Sequence, residues 1–311
     1  MKRERELAKE KMEVFLESGF STLLIGERGI GKSQIYGKDA VKVNCAAFAD
    51  DNTLEAELLG VGKGVFTGVK PRDGALKKAD NGKLFLDEVH HLSKAVQARL
   101  MVVFGTDSEN KMKYCRLGTF EPIIEVQCKL IFATNKTIDE LKEILLPDFY
   151  DRIVQNVIEI PPLRETKDDR EQDWASVWKH MKFVDKPNAP KDEALKVWLK
   201  DLPLYGNYRD LEKIAIYYNG FEKLKNMILE KTAFEYAKNQ FKKWKSPEPK
   251  IEENNIIIKL NLVKNSDEIH KDLNFELQKW AIEHYGSKKE AAKKLGVEER
   301  TLTNWNKRSK L

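Results

Sequence analysis

Cysteine is scarce in this chain: its 311 residues hold three, Cys45, Cys115 and Cys128, an odd number with no CxxC pair. That count excludes a disulfide framework and a structural zinc ribbon, so the thiols are expected to be reduced and partly buried. No apolar run approaches the ~18 residues that a membrane-crossing helix requires. The charged start MKRERELAKEKM has no secretory pattern. A soluble, cytoplasmic protein without a membrane partner is expected, long enough for two or three domains. Net charge is absent from most of the length as well. Residues 286–311 carry six Lys and two Arg against three Glu, whereas the preceding 285 residues hold 47 basic and 47 acidic side chains. The basic excess therefore sits entirely at one end, either as an electrostatic footprint for a polyanion or as a solvated lysine-rich tail.

What is present begins with a phosphate loop. The β-prone run Ser21 to Ile25 feeds directly into GERGIGKS, which satisfies the GxxxxGKS pattern in full. Gly26, Glu27, Arg28, Gly29, Ile30, Gly31, Lys32 and Ser33 form that loop and are the candidate nucleotide-binding residues. Its glycines let backbone N–H groups turn inward around phosphates, Lys32 reaches the β and γ phosphates, and the Ser33 hydroxyl ligates magnesium. Downstream, Lys83 to Glu88 reads as a buried parallel strand whose carboxyl end delivers two acids. Asp87 is expected to hold Mg2+ through water, and Glu88 to polarise the attacking water, as in an ATPase rather than a kinase. A third strand, Leu130 to Thr134, ends at Asn135, whose amide suits sensing of the γ phosphate. His90 and His91 follow the acids without an evident third ligand, and are expected at exposed positions on a helix entrance rather than on a metal.

Between the phosphate loop and the acidic strand lies Gly64 Val65 Phe66 Thr67 Gly68 Val69, an aromatic and a hydroxyl bracketed by glycines. The glycines disfavour helix and strand, so the segment reads as a loop inserted in a nucleotide-binding domain. Taken alone, Phe66 is a core aromatic and Thr67 a turn residue. Their neighbours change that reading.

The ordered series GERGIGKS, Val43 to Ala47, Glu57 to Gly60 with GVFTGV, Lys78 to Glu88, Ala133 to Asn135, Asp148 to Arg152, Ile160 to Glu165 and Tyr205 to Glu212 resembles the AAA+ domain of bacterial enhancer-binding proteins. These are the ATPases that activate RNA polymerase carrying sigma-54, and the resemblance covers about residues 18 to 240. It implies an α/β AAA+ P-loop ATPase with a parallel sheet core and a helical lid, using ATP and Mg2+. It also implies that Phe66 and Thr67 touch the sigma factor, and that subunits form a ring, usually a hexamer, with ATP at each boundary. Arg152 matches an arginine that reaches the neighbour's γ phosphate, and Arg209 the second-sensor arginine of the lid. Asn44 matches the asparagine that holds the catalytic glutamate in the resting state. Three departures accompany these matches. Leu146 stands where a first arginine is usual, Ser33 replaces a common Glu, and only Gln34 to Lys42 separate the phosphate loop from Val43. The helix after the loop is therefore limited to about two turns, and hydrolysis is expected to be slow.

Lid helices are expected over roughly 168–241, with Trp174, Trp178 and Trp198 filling their core. Ser246 to Lys250 breaks helix, and NIIIKLNLV at 255–263 has strand character that the resemblance does not explain. Residues 275–308 read as three helices, the second capped by Ser287 and closed by Gly296. SKKEAAKKLGVEERTLTNWNKR is similar to the Fis-type helix-turn-helix module. On that resemblance Arg300, Thr301, Thr303, Asn304, Lys307 and Arg308 are the candidate contacts to an upstream double-stranded DNA site, bound as a dimer. A small helical oligomerisation bundle is the structural alternative.

The expected organisation is a helical segment at 1–17, an ATPase core at 18–165, a lid at 166–245, a linker at 246–274 and a helix-turn-helix domain at 275–311. No regulatory domain is expected before the ATPase. The favoured function is an ATP-hydrolysing activator that remodels the sigma-54 polymerase complex through GVFTGV. Two alternatives stay open: a remodelling ATPase acting on another protein in a mobile-element or defence system, and a DNA-bound ATP switch with little hydrolysis.

Overall fold

The computed structural model describes residues 4–37, 39–63, 70–106, 111–183, 188–248, 273–274, 277–282, 287–295, 297, 298 and 300. It divides into two compact units, Met1–Glu248 and Pro249–Leu311.

A five-stranded parallel sheet organises the first unit. Its strands are β1 (Thr22–Ile25), β2 (Val41–Asn44), β5 (Lys83–Asp87), β8 (Lys129–Thr134) and β9 (Asn156–Glu159), in the order β2-β5-β8-β1-β9. Alternate residues of the central strands feed two separate cores, as the period of a pleated strand requires. Leu23, Leu84, Leu86, Leu130 and Phe132 join helices α3 (Asp51–Leu59), α4 (Ala75–Lys78), α5 (Lys94–Val103), α6 (Ile138–Ile144) and α7 (Pro147–Ile153) on one face. Leu24, Phe85, Ile131, Ala133 and Ile158 face the other way, against α1 (Glu4–Glu17) and a helical layer. That layer consists of α8 (Arg170–Met181), α9 (Glu193–Asp201), α10 (Tyr208–Leu224) and α11 (Ala233–Trp244), with Trp174 and Trp178 buried and Trp198 partly buried in its core.

The helix after the phosphate loop is shorter than the sequence allows. It is a single turn, α2 (Lys32–Ile35), and Gly37 reverses the chain at φ 90° before β2. The sheet closes nonetheless because Tyr36 replaces the missing turn: its buried ring stacks on Phe85 with centroids 3.9 Å apart. Tyr36→Ala should therefore lower unfolding free energy by about 3 kcal/mol, read as an earlier urea midpoint at unchanged slope.

Between α3 and α4 a short antiparallel ladder, β3 (Gly60–Val61) with β4 (Arg72–Asp73), pinches the two stems of the GVFTGV insertion together. Gly60 sits at φ 83°, and a Cβ there would meet the Arg72 carbonyl oxygen at 2.5 Å, so the crossing demands glycine. A second insertion, carrying the hairpin β6 (Met112–Tyr114) and β7 (Ile124–Val126), is tied to the same stem. Leu117 exchanges backbone bonds with Gly60 and Gly62, and Arg116 pairs with Asp73 at 2.7 Å. Residues 64–69 themselves lie outside the described residues.

At its end the first unit keeps residues that the sequence assigns to a linker. Ser246 Oγ donates to Asp210 Oδ1 at 2.6 Å and Tyr205 Oη to Glu248 Oε1 at 2.7 Å.

In the second unit, the helix Lys288–Leu295 starts at Ser287, whose hydroxyl accepts the Glu290 N–H at 3.2 Å. Ala291 and Ala292 bury against Ala281 of the helical stretch 277–282, a contact only small side chains permit. Arg300 is helical and exposed. Thr301, Thr303, Asn304, Lys307, Arg308 and the 255–263 segment lie outside the described residues.

Among the described residues no helix is long and apolar enough to cross a membrane. The three thiols are free, Cys45 buried and the other two partly so.

Candidate active site

The phosphate loop leaves β1 and bends over the carboxyl edge of the sheet. Gly29 and Gly31 take left-handed backbone at φ 73° and 85°, and a Cβ on Gly29 would stand 2.5 Å from the Gly206 carbonyl oxygen. Only glycine lets the loop lie this close to the lid. Beneath it opens a cleft of about 1040 Å3 lined by residues from Arg28 to Gln34 and by Asn44, Asp87, Glu88, Tyr208 and Arg209. Elements distant in sequence thus bring together most of the predicted residues.

Lys32 opens α2, and its ammonium donates to the Gly26 and Glu27 carbonyls at 2.6 and 3.3 Å. Burial lowers its pKa, an effect opposed by the nearby Asp87 and Glu88 charges. Asp87 ends β5, where burial raises its pKa and Lys32 opposes the rise. Each charge offsets part of the other's desolvation. Ser33 and Asp87 line the cleft together, a hydroxyl and a carboxylate. These hard oxygen donors suit Mg2+.

Glu88 leaves the strand at φ 55°, a left-handed conformation that re-aims its side chain. Its Oε2 is buried and receives no hydrogen bond among the described residues. His90 Nε2 stands 3.5 Å away. Contrary to expectation, His90 is not exposed: the one-turn 3-10 helix Val89–His91 swings its ring inward, to 2.9 Å between Nδ1 and the Oγ1 of fully buried Thr134. Burial pushes its pKa down to about 4, so the ring is neutral near pH 7. His91 is exposed, as expected.

Several of the predicted side chains make contacts of their own. Asn44 reaches the cleft, but its Oδ1 accepts the Ala46 N–H at 3.0 Å, and no bond from it to Glu88 is formed. The open N–H of the following 3-10 turn is a nearer partner. Glu27 turns away from the cleft into a bidentate pair with Arg164 at 2.8 and 2.5 Å, which holds its carboxyl below the usual range. The Gly26 N–H is used by the Thr134 carbonyl at 3.2 Å, and the Ile30 side chain is buried in the second core. Neither Gly26 nor Glu27 lines the cleft. Asn135 follows β8 with its Oδ1 buried and without a donor among the described residues, and it too does not line the cleft. Arg152 lies elsewhere on its own chain, donating through Nη2 to the Phe104 carbonyl. Leu146 packs on the core while its N–H donates to Gln97 Oε1 at 2.7 Å.

Sequence reasoning missed Asn207. It is fully buried, donates through Nδ2 to Glu27 Oε2 at 3.0 Å and the Arg28 carbonyl at 3.1 Å, and accepts the Leu163 N–H at 2.9 Å. It thereby locks the phosphate loop to the lid, one residue before Tyr208, whose N–H donates to the Gly29 carbonyl at 3.0 Å. The local signal was its place two residues before Arg209. The helix after the acidic turn is also joined to the helix before the insertion: Ser93 Oγ donates to Asp51 Oδ2 at 2.6 Å, and Arg99 pairs with Glu55 at 2.7 Å. These contacts tie α5 to α3, the helix from which β3 emerges.

Comparison with known proteins adds an independent finding. Residues 2–160 match the family described as the Sigma-54 interaction domain. The Nif-specific regulatory protein of Bradyrhizobium diazoefficiens is 37% identical over 173 residues, 51% of this chain and 28% of that protein. The anaerobic nitric oxide reductase transcription regulator NorR of Aliivibrio fischeri is 38% identical over 162 residues, 48% of this chain and 30% of that protein. The Psp operon transcriptional activator of Escherichia coli is 34% identical over 160 residues, covering 47% of each. The chain thus spans between 28% and 47% of these relatives' lengths. Among solved structures, NtrX from Brucella abortus in complex with ATP superposes with TM-score 0.61 at 16% identity, over 99% of this chain and 68% of that one. Domain III of the Thermotoga maritima replication initiation protein DnaA gives 0.52 at 13% identity, over 79% and 95%.

Proposed function

Because the chain belongs to the Sigma-54 interaction domain family and has the α/β AAA+ fold, we propose that it is an ATP-hydrolysing activator that remodels sigma-54 RNA polymerase through the GVFTGV loop. The observation that carries this reading is the pair of contacts, Ser93 to Asp51 and Arg99 to Glu55, that ties α5, the helix after the acidic turn, to α3, the helix that leads into the insertion stem at Gly60.

In this reading the loop N–H groups and Lys32 bind the ATP phosphates, and Arg209 closes on them from the lid. Ser33 and Asp87 would hold Mg2+, which neutralises phosphate charge when bound. Glu88 accepts a proton from the attacking water. Arg152, outside its own chain's cleft, serves a neighbouring subunit in a ring, with Leu146 leaving that contribution to a single arginine. The basic 275–311 segment binds upstream DNA as a dimer, through Arg300, Thr301, Thr303 and Asn304 with Lys307 and Arg308 on phosphate. Gly26, Glu27, Asn44 and Asn135 act indirectly, by shaping the loop and its surroundings. A nucleotide switch with little turnover is the second reading, favoured by Leu146 in the core.

The test is binding of purified sigma-54 in the presence and absence of a non-hydrolysable ATP analogue. We expect binding only with nucleotide, and its loss in Thr67→Ala. A wild-type chain that ignores sigma-54 in both conditions overturns the activator reading.

A further inference from the structure

The turn after β5 concentrates metal-binding chemistry. One carboxylate oxygen of Glu88 and one ring nitrogen from each of His90 and His91 lie within 4.8 Å of one another. The tightest edge, His90 Nε2 to Glu88 Oε2, is 3.5 Å. Ligands held at zinc-like bond lengths on a tetrahedron are separated by about 3.3 Å, so this edge is already near that spacing.

Two further observations concern what belongs there. Glu88 Oε2 is buried with no hydrogen-bond donor among the described residues, a costly state for a carboxylate oxygen. On its far side the His90 ring is fixed through Nδ1 by Thr134 Oγ1 at 2.9 Å. That hydroxyl oxygen also accepts the Lys136 N–H at 3.0 Å, and its second lone pair can take the Nδ1–H. In that tautomer the Nε2 lone pair faces the carboxylate, the orientation a metal ligand needs. An outer hydrogen bond on the distal nitrogen is also what orients an imidazole as a ligand. The exposed His91 ring, centred 4.4 Å from that of His90, can close on the same point by side-chain rotation.

We propose that Glu88, His90 and His91 form a binding site for a borderline divalent transition-metal ion of the Zn2+ type, with a fourth position open to water. Two imidazoles and a carboxylate select such an ion over Mg2+, which prefers an all-oxygen shell. The site is therefore distinct from the Ser33 and Asp87 position. Its functional consequence rests on the hydrolysis proposed above: an ion on Glu88 occupies the carboxylate that would accept a proton from water, so turnover stops while the phosphate loop still binds nucleotide.

The test uses the full chain without nucleotide, in excess Mg2+, titrated with Co2+ as a spectroscopic probe and then with Zn2+. We expect an intense tetrahedral ligand-field band in the visible that Zn2+ abolishes. Apparent affinity should fall on the order of tenfold or more in His91→Gln, which changes only an exposed side chain, and in His90→Gln. An absent band, or one unchanged in both variants, overturns the site. A parallel assay follows phosphate release from Mg-ATP with and without Zn2+, each protein compared with itself. Zinc inhibition in the wild type that His91→Gln resists supports the consequence. A cobalt band in a wild-type chain that shows no turnover even without zinc supports the site and defeats the hydrolysis reading alone.

Discussion

Glu88→Gln is expected to lower ATP turnover by about 10²–10⁴-fold, the usual contribution of a positioned general base, with nucleotide affinity close to that of the wild type. The amide keeps the size of the carboxylate and tolerates the turn at φ 55°, so the cleft should be preserved. What is lost is the ability to accept a proton from water. Lys32 and the loop N–H groups, which would bind the phosphates, are untouched. Phosphate-release kinetics at saturating ATP and a fluorescent-nucleotide titration separate the two quantities. Wild-type turnover in this variant would assign the base to another group.

The second large effect is structural. Asn207→Leu should destabilise the first unit by about 3–5 kcal/mol, counting buried polar groups left without partners and a strained backbone. The substitution orphans the Leu163 N–H and the Arg28 carbonyl and removes a donor from Glu27. It also forces a branched side chain into φ 54°, ψ −129°, a conformation suited to glycine. Asn207→Gly loses the same bonds but relieves the backbone, so it should be the milder of the two. Urea unfolding of both variants isolates the backbone contribution. Equal stability of Asn207→Leu and the wild type would refute the lock between loop and lid.

Much of the sheet was legible because its signals are local. Ser21 to Ile25, Lys83 to Glu88 and Leu130 to Thr134 are apolar runs ending in polar residues, the pattern of parallel strands buried on both faces. They became β1, β5 and β8 within a residue or two. The phosphate loop was legible for the same reason, since its glycines answer to backbone angles and not to distant partners. His90 was misread as exposed because nothing adjacent in sequence indicates Thr134, the buried hydroxyl that holds its ring. Tyr36 was silent until Phe85 lay under it.

By itself the sequence determined the α/β class, the phosphate loop, the acidic strand end and the insertion between them, because each depends on spacing over a few residues. Only the tertiary structure decided how those parts are coupled. Glu27 meets Arg164 across 137 positions and Asn207 across 180, and no periodicity extends that far. Such bonds exist only once the sheet and lid have packed, when burial makes an unpaired polar group costly enough to select its partner.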